Sequence, residues 1–321
     1  MEKLKFESRN KLEVQGEKLD DLVLYFSQAI NEQLRQFGAT NFVDQNCAVN
    51  PRENFSTKNG GPYKKEELKA DEKYVREHDE LFAGIIDVTK DGDYVDNEKR
   101  IQYFRETFQC ETREEMIAKC KQETRDSYGA ILEKALVVNL NRVIGPKYMV
   151  LRSTTYDDYK NGVDYLIVDT ETGIVACGFD GVNDAAGGER YEAKIKKIRQ
   201  EAEHGGSIIK YGFTFDHDSD TGEKKLVKKQ IENIPTFCLS LSRENLDQLL
   251  DNMNWQEGAE PNQVELNAFA KILSSLEIQA ESFKSNRKIS QAVRENLETF
   301  YAFLEDIKRI RQEKDTEIKN L

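Results

Sequence analysis

Apolar residues recur every three or four positions in the first third and the last quarter of the chain, a spacing typical of helices with one buried face. The helices predicted from this spacing cover residues 17–37, 63–80, 98–109, 112–144, 243–253, 262–284 and 288–318. The longest predicted helix, 112–144, begins with Thr112 and Glu115, which are spaced as in a capping box, and ends at Gly145-Pro146. Helices therefore dominate both ends of the chain.

The middle of the chain changes to short runs of β-branched and aromatic residues, which predict strands. These strands cover residues 148–152, 163–169, 173–182, 207–216, 224–232 and 236–241, and a charged helix is predicted at 189–203. The fold class that follows is α+β, with a central mixed β-sheet and flanking helices. We expect a helical region at 1–111, an α/β core at 112–241 and a helical region at 242–321.

Two aspartates occupy matching places in the hairpin predicted around the turn sequence TETG (170–173). With a three-residue loop, Asp164 faces Gly178 and Asp180 faces Gly162. The two aspartates are then diagonal neighbours on one face of the sheet, about 7–8 Å apart at Cα. A loop of two or four residues would shift the pairing by one and place them on opposite faces. With the three-residue loop, Asp164 and Asp180 could share one Mg²⁺ ion.

Glu133 lies on an otherwise apolar stripe of the helix before the first central strand. A buried carboxylate is costly unless it is paired or bound to a cation, so Glu133 is a third candidate acid. Plainer roles stay open for all three acids. Asp164 and Asp180 would accept backbone hydrogen bonds in turns, and Glu133 would pair with a lysine on the helix flank. Asp157 and Asp158, just before the hairpin, are expected to be loop acids, and one of them could orient a metal-binding group.

Four features follow one another in the middle of the chain: an acid-bearing helix, an aspartate at the start of a strand, an acid near the end of the next strand, and a further helix. The segment YDDYKNGVDYLIVDTETGIVACGFDGV (156–182) carries this order, and it resembles the core of the PD-(D/E)XK nuclease superfamily. The resemblance implies a restriction-endonuclease-like core in which Asp164, Asp180 and Glu133 bind Mg²⁺ or Mn²⁺. The metal would activate water and neutralise charge on the scissile phosphate.

The chain departs from the family pattern two residues after the second acid, where a lysine is expected and Val182 stands. Some members of the superfamily supply the lysine from a neighbouring helix. Lys194, Lys196 and Lys197 are the candidates for that function here, and Lys194 lies nearest the end of the sheet. The resemblance therefore implies Asp164, Asp180 and Lys194 as the catalytic set.

The chain is acidic, with a formal net charge of −12 over 321 residues, and such a charge repels nucleic acid at long range. Between residues 189 and 230, however, ten bases outnumber eight acids. The segment 190–229 is therefore either a contact for a nucleic-acid backbone or a solvated charged face. Its two strands are joined by an acidic turn within 216–227, which fits a hairpin better than a calcium loop.

The remaining composition narrows the class of protein. Five scattered cysteines without a CxxC pair argue against a disulfide framework and a structural zinc site. No apolar run approaches the roughly 18 residues that cross a membrane, so we expect a cytoplasmic protein. The sequence does not determine the oligomeric state.

Two functions from different classes follow. The first is a divalent-metal-dependent phosphodiesterase, a nuclease of PD-(D/E)XK type acting on DNA. The second is a non-catalytic cytoplasmic binding protein that retains a degenerate nuclease-like core. Val182 and the negative net charge favour the second, whereas the three acids and the local basic segment favour the first.

Overall fold

A computed structural model describes residues 2–217 and 223–320 of the chain. The helices are α1 (Glu2–Arg35), α2 (Pro51–Asn54), α3 (Lys65–Phe82), α4 (Glu98–Phe108), α5 (Arg113–Thr124), α6 (Tyr128–Ile144), α7 (Thr155–Asn161), α8 (Glu189–Glu203), α9 (Arg243–Asn252), α10 (Gln263–Ser285) and α11 (Gln291–Lys319). The strands are β1 (Ile86–Val88), β2 (Tyr94–Asp96), β3 (Tyr148–Arg152), β4 (Tyr165–Asp169), β5 (Val175–Val182), β6 (Ser207–His217), β7 (Lys224–Ile234) and β8 (Thr236–Ser240).

The central sheet has four strands in the order β3-β4-β5-β8. The first three strands are antiparallel neighbours, and β8 runs parallel to β5. The parallel pair requires a crossover, which includes α8. The strands β1 and β2 form a separate hairpin, and β6 and β7 form another. The predicted α+β class with a central mixed sheet and flanking helices is thus confirmed.

Helices cover the sheet and bury its apolar side chains. Helix α6 packs on β3 and β5, α8 and α10 pack on β8, and α11 packs on β5, while α1 lies against α6. One hydrophobic core extends from Leu19 in α1 to Ile307 in α11, and a smaller cluster lies between Ala83 and Cys120. The division at residues 111 and 241 stays a prediction.

The structure differs from the predicted elements at two places near the sheet. The helix predicted over 112–144 is two helices, because Ser127 caps a new start by accepting a hydrogen bond from the Ala130 amide. The predicted capping box of Thr112 and Glu115 is present at the start of α5. Between β3 and β4 the chain forms α7, so the prediction that Asp157 and Asp158 lie in a loop is wrong.

The register of the central hairpin also differs from the prediction. Gly178 pairs with Leu166 rather than with Asp164, and Tyr165 pairs with Phe179. The loop is longer than three residues, and the register is shifted between Ile167 and Val168. The two changes displace the pairing by two positions, and an even displacement keeps the same side chains on the same face.

Three other predictions concern the rest of the chain. The hairpin of β6 and β7 is present, but the acidic turn predicted between them falls at 218–222, outside the described residues. All five cysteines are free and buried. No helix in the described ranges is long and apolar enough to cross a membrane.

Candidate functional site

Four carboxylates from four elements meet beside the central sheet, and we call them the acid cluster: Glu133, Asp158, Asp164 and Asp180. Glu133 comes from α6, Asp158 from α7, Asp164 from the residue before β4, and Asp180 from β5. Each of the three aspartates has its pKa raised in part by another carboxylate of the cluster. The cluster therefore concentrates negative charge in a small, largely buried volume.

Local sequence explains how α7 and β4 present their acids. Thr154 caps α7 by accepting a hydrogen bond from the Asp157 amide, and Gly162 ends the helix in the left-handed conformation at φ +64°. A residue with a side chain would be strained at this φ, and its Cβ would meet the Lys197 amine at 2.8 Å. The turn brings Asp164 back beside Asp158, six residues earlier in the chain.

Asp180 is the most buried member of the cluster, with 5% of its surface exposed. Its Oδ1 forms an ion pair with Nζ of Lys194, which reaches down from α8. Burial, together with the charge of Asp164, raises the pKa of Asp180 to about 6, although Lys194 opposes the shift. Burial acts to lower the pKa of Lys194, but the negative charges of Asp180 and Asp164 outweigh it and raise that pKa. The lysine ammonium is therefore held in its charged form.

Asp164 is held by the backbone of the neighbouring strand. Its Oδ2 accepts a hydrogen bond of 2.7 Å from the Gly181 amide. Gly181 permits this approach, because a Cβ there would lie 3.3 Å from Oδ2 of Asp164. Burial raises the pKa of Asp164 despite the attraction of Lys194 and the hydrogen bond from Gly181.

The pKa of Asp158 is raised well above its ordinary value. Burial, followed by the charges of Asp164 and Glu133, raises the pKa of Asp158 to about 8. At neutral pH the carboxyl of Asp158 is thus mostly protonated. An added cation would displace that proton, because it would stabilise the carboxylates of Asp158 and Asp164 in their charged form.

Glu133 faces the same volume but has a cation of its own. Its Oε2 lies 2.6 Å from a guanidinium nitrogen of Arg152, and 39% of its side chain is exposed. Glu133 is thus paired with a cation, as the plainer prediction expected, but the cation is an arginine from β3 and not a lysine. Nevertheless, the Glu133 charge still raises the pKa values of Asp158 and Asp164.

Tyr165 provides a polar atom without a partner next to these acids. The residue is fully buried, and its hydroxyl has no hydrogen-bond partner among the described residues. The hydroxyl and Oδ2 of Asp164 both lie against the Cα of Gly181, at 3.6 and 3.3 Å from an ideal Cβ position there. A buried hydroxyl is usually satisfied, so this one is consistent with a further ligand at the acid cluster.

The donor set fits Mg²⁺ or Mn²⁺ bound through few protein ligands. In the described part of the chain, no three His, Cys, Asp or Glu side chains are arranged as a ready metal cage. Mg²⁺ commonly keeps several waters and binds through one or two carboxylates together with substrate phosphates. Asp164 and Asp180 meet that requirement, and the unpartnered Tyr165 hydroxyl and the raised carboxyl pKa values agree with it.

The predicted site residues separate into those the structure brings together and those it does not. Asp164, Asp180 and Lys194 are brought together, whereas Lys196 is exposed and Lys197 pairs with Glu201 at 3.6 Å. Sequence reasoning missed Arg152 and Tyr165 as neighbours of these acids, and it offered Asp158 only as one of two acids that could orient a metal-binding group. The pair of Thr154 and Asp157, followed by Gly162, was the signal for α7, since it matches a capped helix with a glycine stop.

The basic segment 190–229 does not form a single face. Lys194 points to Asp180, and Lys210 forms an ion pair of 2.5 Å with Asp71 in α3. Lys224 and Lys228 donate hydrogen bonds to the backbone oxygens of Glu171 and Asn59. Several of its charges are therefore used within the molecule.

No protein-family model matches this chain, and comparisons with curated proteins and with solved structures find no significant match.

Proposed function

We propose that the chain is a divalent-metal-dependent phosphodiesterase, a nuclease of PD-(D/E)XK type acting on DNA. The observation that carries the proposal is the convergence of Asp164 and Asp180 with Lys194, where the protein supplies too little positive charge for its carboxylates. A shortage of positive charge at a buried site is a feature of places where a cation or a charged substrate binds.

The order of elements supports a restriction-endonuclease-like core. Helix α6, strand β3, the hairpin of β4 and β5, helix α8 and strand β6 occur in the predicted order, with α7 inserted between β3 and β4. The candidate acids lie on α6, before β4 and in β5, and the candidate lysine lies on α8. Val182 is buried at the position of the expected lysine, which agrees with a lysine supplied from α8.

Each residue has a distinct role in this proposal. Asp164 and Asp180 would hold the metal ion, with Glu133 assisting. The bound ion would polarise the phosphate and lower the pKa of a water molecule. Lys194 would place a positive charge beside the developing negative charge on the phosphate oxygens. Arg152 holds Glu133, and Gly181 holds Asp164 in the orientation of the site.

The first experiment measures metal binding and DNA cleavage together. Mn²⁺ or Mg²⁺ should raise the melting temperature of the wild-type chain by a few degrees, since binding to the native state stabilises it. Asp164→Asn should abolish both this shift and the cleavage of plasmid or single-stranded DNA. Asp87→Asn, an exposed strand acid far from the cluster, is the matched control and should change neither.

A second pair of variants tests the lysine. Lys194→Met should lower the cleavage rate while the metal-dependent rise in melting temperature persists, because the metal ligands remain. Lys196→Met, an exposed neighbour in the same helix, should leave the rate unchanged. Equal rates for wild type and Lys194→Met would remove Lys194 from the catalytic set.

A binding protein with a degenerate core is the second candidate, because the Lys194 ammonium already contacts Asp180 and Val182 is buried. That function predicts no metal-dependent rise in melting temperature and no cleavage of any nucleic acid. Both results together would contradict the nuclease proposal.

A cytoplasmic location belongs to the same proposal. Five free and buried thiols suit a reducing compartment. The nucleic-acid contact through 190–229 also remains a proposal, supported by its local excess of bases.

A further inference from the structure

A cavity of about 750 Å³ lies between α3, the segment 44–52 and the start of α7. It adjoins the acid cluster without being part of it. The backbone of Arg152, which pairs with Glu133, is hydrogen-bonded to Cys47 at 2.8 Å and to Val49 at 3.1 Å, and Val49 lines the cavity. The volume falls in the range of small-molecule sites, about 300–1,000 Å³.

One wall of the cavity is aromatic. Tyr156 and Tyr211 line it, with ring centroids 6.0 Å apart at nearly right angles, and Tyr74 packs on Tyr156 at 5.5 Å. Tyr211 is held in place by a hydrogen bond of 2.5 Å from its hydroxyl to Asp71. Tyr156 is half-buried, and Nζ of Lys210 lies 5.0 Å from the centroid of its ring, so a ligand would meet only the exposed part of the ring.

The rim of the cavity is cationic where it is exposed. Arg52, Lys69, Lys73 and Arg76 line it and are all exposed. Lys69 forms no ion pair within the described ranges, and the ion pair of Arg76 with Glu80 is long, at 3.9 Å.

The buried acids of the cavity are already balanced. Asp71 pairs with Lys210 at 2.5 Å, and Asp79 pairs with Lys121 at 2.8 Å and accepts a hydrogen bond from Tyr159. Among the lining acids, Asp44 is exposed, and Glu72 is partly exposed and engaged by Arg52. Lys73 pairs with Glu77 at 3.6 Å, so Lys69 is the exposed lining cation without an ion pair in the described ranges. The solvent-facing lining thus presents four cationic side chains beside two acids.

We infer that this cavity binds a nucleotide unit of single-stranded nucleic acid, next to the phosphate presented to the acid cluster. Stacking on a tyrosine requires a free base face, which a duplex hides, and cationic side chains beside aromatic rings are the usual means of binding single strands. The inference rests on the proposed function and adds its substrate class.

The experiment measures binding without cleavage, so that it stands apart from the test of the nuclease. A fluorescein-labelled ten-nucleotide dT strand is titrated with the full chain in EDTA at low salt, and fluorescence anisotropy gives the Kd. Lys69→Glu should weaken binding about tenfold, the effect of about 1.4 kcal/mol. Lys65→Glu, exposed in the same helix but outside the cavity, should change it less than about threefold, since it loses only a screened long-range charge.

A second set of variants tests the ring. Tyr156→Ala should weaken binding about tenfold, within the range of one stacked base, whereas Tyr156→Phe should bind like wild type. Melting temperatures of both variants identify any loss of folding, and Lys69→Glu tests the cavity independently of the ring.

Three results would overturn the inference: unchanged Kd values for both Lys69→Glu and Tyr156→Ala, a blunt duplex bound as tightly as the single strand, or dTMP competing as well as the oligonucleotide. The last would indicate a mononucleotide site. If strand binding depends on Lys69 and Tyr156 but Mn²⁺ supports no cleavage, the nuclease proposal fails and the cavity remains. If cleavage is normal but binding ignores both variants, only the cavity proposal fails.

Discussion

Two buried charged regions begin on helix α6, and they differ in how their charges are balanced. Arg142, near the end of the helix, forms an ion pair of 2.6 Å with Glu265, and their side chains are 1% and 0% exposed. Arg142 also donates to the carbonyl oxygens of Asn254 and Gln256, and Glu265 accepts from the amides of Asn254 and Asn262. We call this region the lock, because the buried charges of Arg142 and Glu265 neutralise each other.

The charges of the acid cluster, which begins with Glu133 two to three turns earlier on the same helix, are not balanced in this way. In the described residues, its four carboxylates form ion pairs with two cations, Arg152 and Lys194, and burial raises the pKa of its aspartates. Burial of charge is therefore no sign of function by itself. Both regions hold a buried polar atom without a partner, the Tyr165 hydroxyl and Nε of Arg142, so the excess of negative charge is what distinguishes the candidate site from the lock.

The largest expected loss of stability comes from removing the Glu265 carboxylate from the lock. Glu265→Ala should lower the free energy of unfolding by about 3–5 kcal/mol, because it leaves the Arg142 charge buried without its partner. Urea unfolding measures the loss. Glu260→Ala, whose exposed side chain pairs with Lys314, is the control and should change stability by less than about 0.5 kcal/mol. A loss below about 1 kcal/mol for Glu265→Ala would mean that the pair is not a lock.

The next prediction compares the stability changes caused by substituting two consecutive residues of α7. Asp157 is fully buried and accepts hydrogen bonds from the amides of Lys210 and Tyr211, so it ties α7 to β6. Asp157→Asn should cost about 1–3 kcal/mol, because an amide cannot accept at all of these contacts. Asp158→Asn should leave the metal-free protein as stable as wild type or more stable, since a neutral amide replaces a carboxyl whose charged form is disfavoured by burial and by the neighbouring acids. Thermal unfolding in EDTA separates the two, and a larger loss for Asp158→Asn would contradict the comparison.

The third prediction is a pH dependence of stability. A carboxyl whose pKa is raised in the folded state holds its proton more tightly than in the unfolded chain. The stability it contributes is therefore fully present below about pH 4 and is lost as pH rises through the folded pKa. With pKa values of about 8 for Asp158 and about 6 for Asp180, the free energy of unfolding in EDTA should fall between pH 5 and 8.

Asp306 does not interfere in that window, because Lys147, Arg309 and Tyr148 outweigh burial and lower its pKa to about 2, so it is ionised throughout. Asp158→Asn should reduce the slope, and added Mn²⁺ should reduce it as well by favouring the charged carboxylates. Urea unfolding at several pH values measures the slope, and a stability that rises from pH 5 to 8 would contradict the reasoning.

The sequence predicted those parts of the site whose residues are close together in the chain as well as in space. The hairpin after Asp164 is only a few residues long, and the face shared by Asp164 and Asp180 depends on whether the pairing shift is even or odd. The observed register is two positions from the prediction, so that relation survived although the partners Gly178 and Gly162 were wrong. Lys194 could be selected because α8 follows β5 directly.

Asp158 and Arg152 could not be placed by the same reasoning. Asp157 and Asp158 are identical residue types side by side, yet the first is taken up by the backbone of β6 and the second by the acid cluster. Helical geometry turns consecutive side chains by about 100°, and which direction is buried depends on β6, more than fifty residues later. Arg152 likewise meets Glu133 only after β3 has packed against α6.

From sequence alone came most of the helices and strands and the central hairpin, because these depend on local periodicity and short turns. That Asp164 and Asp180 share a face depends also on the register shift between Ile167 and Val168, which no local pattern predicted. The tertiary structure decided which buried charges are balanced. Glu265 finds Arg142 across 123 positions of the chain, while the acid cluster collects four carboxylates from four elements and retains an excess of negative charge. Such balances arise from packing between distant segments, and no local pattern encodes them.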